Sequence, residues 1–83
     1  MIPVRLILET ETGTLAHVTR LPALPTLDGR TVISVGGLLF VPFEITMSGH
    51  EQVAVIHVGG YAHLTGDSLA RAGWVEVESE AAP

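Results

Sequence analysis

The chain has 83 residues and a net charge of −5, with nine acids, four arginines and no lysine or cysteine. That length gives one domain near the lower limit of what a hydrophobic core stabilises unaided, and no disulfide or thiolate metal site can supplement it. Hydrophobic residues make up 47% and charged residues 16%, an apolar balance for so small a domain, which leaves an oligomer or a membrane-associated chain as explanations.

The longest apolar stretch, Val35 to Phe43, is broken by two glycines and Pro42, whereas a spanning helix needs about 20 apolar residues. Met1-Ile2-Pro3-Val4-Arg5 lacks the basic-then-apolar layout of a secretory signal, and Glu9 and Glu11 follow too soon. The expectation is a soluble, cytoplasmic protein without a membrane partner. An acidic balance also argues against nucleic acid as a partner, because phosphate neutralisation needs a basic footprint.

In chain order, Ile2, Val4, Leu6 and Leu8 alternate with Pro3, Arg5, Ile7 and Glu9, which predicts a strand with one strongly apolar face. Glu11-Thr12-Gly13 supplies a turn into a second strand, Thr14 to Arg20, with Leu15, His17 and Thr19 on one side and Ala16 and Val18 on the other. Together they predict an antiparallel hairpin. Leu21-Pro22-Ala23-Leu24-Pro25 cannot continue the ladder, because proline has no N–H to donate and constrains its predecessor. It predicts an extended connector to another sheet edge, ending in a tight turn at Asp28-Gly29.

From Thr31 to Val58 the sequence reads as three strands that are apolar on both faces. A sheet wetted on one side alternates apolar with polar residues; one covered on both sides does not. Gly36-Gly37 fits a two-residue hairpin loop, which pairs Val35 with Leu38, Ile33 with Phe40 and Thr31 with Pro42 on one face, and Ser34 with Leu39 and Val32 with Val41 on the other. Ser48-Gly49 predicts a second hairpin, with Val41 opposite Ile56, Phe43 opposite Ala54, Phe40 opposite His57 and Pro42 opposite Val55. Pro42 marks a bulge or an edge-facing position, since proline removes a ladder bond.

Asp67 to Gly73 predicts a helix of about two turns, with Thr65 or Asp67 as N-cap, Gly73 as the left-handed stop and Trp74 folding back on Leu69 or Ala70. Val75 and Val77 alternate with Glu76 and Glu78 in a last strand. Residues 1–79 are expected to form a single β-rich domain and 80–83 a frayed tail. The predicted fold is all-β (or β-rich α+β): a small antiparallel barrel or twisted sheet of roughly five to six strands with one short helix. The order of strand, proline-rich connector, Asp-Gly turn and glycine hairpins resembles an SH3-like small barrel. The resemblance is architectural and carries over no site residue.

No chemical motif stands out. His17, His50, His57 and His63 lack the close spacings of zinc or copper ligands; His57 and His63 flank a double-glycine bend and are weak metal candidates. Gly59-Gly60 with Gly66 matches neither the dinucleotide fingerprint nor the Walker spacing, and reads as turn glycine. Ser34, Ser48 and Ser68 lack a nucleophile-elbow context. Glu9/Glu11 and Glu76/Glu78 read as solvated edge charge. Arg5 and Arg20 come close across the first hairpin, but Phe40, Phe43, Tyr61 and Trp74 are few for a stacking surface, and the core claims the phenylalanines. No catalytic residue and no cofactor are expected.

The expected role is therefore a non-enzymatic, homo-oligomeric interaction or assembly module. A second subunit or partner protein would cover the surplus apolar face of the meander, with Leu38, Phe40, Tyr61 and Trp74 as contact residues. The alternatives are a small acidic regulatory or phage-type protein that binds or mimics a nucleic-acid partner through Glu76, Glu78 and Glu80, and a small-ligand or metal-binding domain around His57, Tyr61 and His63.

Overall fold

A computed structural model describes residues 1–11, 13–47, 53–60 and 64–77. Its elements are β1 (Ile2–Thr10), β2 (Gly13–Leu21), β3 (Ile33–Val35), β4 (Leu38–Met47), β5 (Ala54–Gly60), α1 (Gly66–Arg71) and β6 (Val75–Val77). The six strands form one sheet in the order β3-β4-β5-β1-β2-β6, curled into a half-barrel. The β-rich architecture with one short helix is as expected. The sheet is mixed, however, because β1 and β5 run parallel at its centre while every other pair is antiparallel.

The first hairpin follows its alternation. β1 and β2 pair from Ile2↔Leu21 to Thr10↔Gly13, and Val4, Leu6 and Leu8 are buried. Thr12 lies outside the described residues. The proline segment then leaves the ladder and delivers the chain to the opposite edge, where β3 begins. Its Asp28-Gly29 turn is held by Asp28 Oδ1, which accepts from the backbone N–H groups of Arg30 and Thr31, each at 2.8 Å.

The Gly36-Gly37 hairpin adopts the expected register, Ile33↔Phe40 through Val35↔Leu38. Gly36 has φ +59° and Gly37 φ +85°, the left-handed region that a two-residue turn of this hand requires. Strand β3 begins only at Ile33, so the expected pairs Thr31–Pro42 and Val32–Val41 are not part of the ladder.

The β4–β5 register differs from expectation. Val41 pairs with Gly59, not Ile56; Pro42 with Val58, not Val55; and Phe40 with Gly60, not His57. The ladder shifts between Pro42 and Glu44, leaving Phe43 in a bulge instead of opposite Ala54. The expected bulge thus occurs one residue beyond Pro42. Ile56 and Ala54 face inward, in register with the buried Leu6 and Val4 of β1. The connection at Ser48-Gly49 lies outside the described residues.

The concave side is the core. Phe40, Leu6, Ile56, Val4, Val58 and Pro42 are fully buried there, and each of the large aliphatic and aromatic side chains contributes about 1.5–3 kcal/mol by leaving water. The segment around α1 closes the open mouth of the curl. Thr65 caps the helix by accepting from the Ser68 N–H at 3.2 Å, and Ser68 Oγ accepts in return from the Thr65 N–H at 3.2 Å. At the other end Gly73 takes φ +96°. Its N–H donates to Ala70 O at 3.1 Å, and the Trp74 N–H donates to Leu69 O at 3.0 Å. This glycine stop satisfies the last helical carbonyls and turns Trp74 inward, as the sequence predicts.

Trp74 packs in tilted geometry against Phe40 at a centroid distance of 4.9 Å and against His17 at 5.6 Å. His17 Nδ1 is 3.1 Å from Gly73 O, to which it donates. The helix exit therefore ties the β3–β4 turn on one side to β2 on the other. Among the described residues, no helix is long and apolar enough to cross a membrane.

Candidate functional site

Strand alternation puts a second set of side chains on the convex side, and this set is also apolar. The rows follow from the pairing. Thr46, Val55, Arg5 and Val18 lie side by side across β4, β5, β1 and β2; the next row is Glu44, His57, Ile7, Ala16 and Val75; Val41 and Gly59 begin a third. Val18 is 72% exposed, Phe43 64% and Val75 60%. Leu39 is also exposed, while Ile7, Val41 and Val55 are half-buried.

The few polar groups on this face are organised. His57 Nε2 lies 3.8 Å from Glu44 Oε2 across the β4–β5 pair, and the Phe43 ring stands 6.2 Å from the imidazole. The bulge produces this arrangement: the extra residue projects Phe43 outward and brings Glu44 opposite His57. Toward β6, a shallow groove of about 520 Å3 continues the apolar surface between Arg5, Val18 and Val75.

The residues expected at a contact divide. Phe40 is fully buried and Trp74 is 4% exposed, so neither presents a surface; both belong to the core because they are the bulkiest side chains on the concave side. Leu38 is half-buried and packs against that core. Tyr61 lies outside the described residues, as do His63, His50, Glu78 and Glu80. The outward residues that the sequence reading missed are Leu39, Phe43, Val18 and Val75. Their signal was present in the alternation, since Phe43 and Leu39 occupy positions opposite in parity to Phe40.

His57 is on the convex side and His17 on the concave side, each with its own contacts. Among the described residues no group of three metal-ligating side chains converges. Comparison with protein-family models, curated proteins and solved structures finds no match.

The sheet edges offer less than the face. Strand β4 extends beyond the three-residue β3, but that edge carries Pro42, the Phe43 bulge and Glu44, features that obstruct pairing with another strand. The convex face has no such obstruction.

Proposed function

We propose that this chain is a non-enzymatic assembly module that associates with further copies of itself through the convex apolar face of its sheet. The observation that carries the reading is the division of the sheet into two apolar sides. One is filled by the chain's own core and α1, while the other presents Val18, Phe43, Val75 and Leu39 to water. Large exposed apolar side chains gathered on one face of a small domain are the kind of feature that marks interaction sites. Arg5, Glu44 and His57 are interspersed among these apolar residues in the two central rows.

A paired substitution tests it. Val18→Asp with Phe43→Asp places two carboxylates on exposed positions and removes nothing from the core. The variant is expected to keep the far-ultraviolet circular dichroism of the parent while losing its self-association in light scattering. An unchanged solution mass in a folded variant would overturn the reading.

A further inference from the structure

The geometry points to a binding site for a small amphiphilic monocarboxylate in the groove over β2 and β6, with Arg5 and Arg20 holding its head group. The inference does not rest on self-association. It uses two arginines that the assembly reading leaves without a role.

Strand pairing sets the two arginines together. Arg5 lies opposite Val18 and Arg20 opposite Pro3, so both are on the convex side, one row apart and diagonal to each other. Side chains in that relation have Cβ atoms about 7–8 Å apart, close enough for two guanidinium groups to converge on one anion. Arg5 is half-buried and Arg20 exposed, and among the described residues neither has an ion-pair partner. The row of Arg5 holds Thr46, Val55 and Val18; on β1 and β2 the flanking rows add Ile7 and Ala16 on one side and Pro3 on the other. No carboxylate stands among them. Neighbouring like charges on a sheet repel, and an anion shared between them turns that repulsion into attraction.

The groove accommodates the body of the ligand. Its volume is about 520 Å3, and Ala16, Val18, Val75 and Val77 form its apolar walls beside Arg5. Val75 pairs with Ala16 and Val77 with Thr14, so the groove runs along β2 from the Val18 row to the Thr14 row. That distance is about 14 Å, the length of an extended chain of about ten carbons. The arginines stand at the Val18 end, with Arg20 one row beyond it. A carboxylate placed there meets planar guanidinium forks, while its tail covers Val18 and Val75, which otherwise face water. Apolar walls with a few convergent polar groups are the usual make-up of a small-molecule site. At the far end Glu9 shares the row of Thr14 and Val77, which disfavours a second negative charge. The net charge of −5 likewise repels polyanions.

Titration of the isotope-labelled chain with decanoate at neutral pH, followed by amide NMR, is the test. Acetate serves as the head group alone and decanedioate as the doubly charged counterpart. Decanoate is expected to give saturable shifts centred on Val18, Val75 and Val77, acetate none, and decanedioate weaker binding than decanoate. Arg5→Gln and Arg20→Gln should each weaken decanoate about fivefold while leaving the rest of the spectrum in place. Absence of saturable shifts, shifts spread over the whole surface, acetate binding as well as decanoate, or full affinity in both arginine variants overturns the site. The assembly reading is judged separately, by the solution mass without decanoate.

Discussion

Gly36 and Ala72 touch across the mouth of the half-barrel so closely that a methyl group on Gly36 would stand 2.6 Å from the Ala72 Cβ and 2.8 Å from its Cα. The tip of the β3–β4 hairpin is thereby seated on the last turn of α1. Gly36→Ala meets both this contact and φ +59°, and is expected to destabilise the fold by about 2–4 kcal/mol. Gly37→Ala at φ +85° meets nothing within 4 Å and should cost only the backbone strain, about 1–2 kcal/mol. Urea unfolding of both variants at one protein concentration checks the order; equal losses would mean that the helix does not rest on the hairpin.

Trp74 is the plug of the curl, and its indole Nε1 is buried with no hydrogen-bond partner among the described residues. Trp74→Ala removes the contacts to Phe40 and His17 and should cost about 3–5 kcal/mol. Trp74→Phe keeps a ring on Phe40 and removes the desolvated donor, so its cost is expected below about 2 kcal/mol. Comparable losses in the two variants would show that the N–H is satisfied in solution.

Asp28 titrates below the ordinary aspartate value of 3.8, because the backbone N–H groups of Arg30 and then Thr31 hold its ionised form. A depressed native value stabilises the fold above the unfolded value. That contribution is complete above pH 3.8 and fades as pH falls through the native value. Carboxyl NMR is expected to give a midpoint under 3.8 for Asp28, and Asp28→Asn should remove the corresponding pH dependence of stability. A midpoint at or above the ordinary value would show the turn open in solution.

Short-range chemistry was legible in the sequence. Alternation in Ile2 to Leu8 gave the buried face of β1, Gly36-Gly37 gave the turn and its register, and Thr65 with Gly73 marked the helix ends. Each depends on residues within a few positions of one another. The β4–β5 register did not follow, because both strands are apolar on both faces and a slip exchanges one apolar set for the other without penalty. The bulge at Phe43 shifts it instead. Nor did local pattern indicate that β1 and β5 pair in parallel, since that contact joins distant segments.

The same ambiguity explains the candidate surface. A face left uncovered was readable from Thr31 to Val58, but which face was not. Phe40 and Trp74 went inward because the bulkiest rings fill the space between sheet and helix, leaving Phe43, Leu39 and Val18 for the outside. Leu39 and Phe43 are the exposed half of the alternation whose buried half holds Phe40.

Light scattering on the wild-type chain over a broad concentration range measures the surplus of apolar surface most directly. Burial of the convex face against further copies predicts a mass rising with concentration to at least twice the 8.8 kDa of one chain. A mass fixed at 8.8 kDa at every concentration would contradict it.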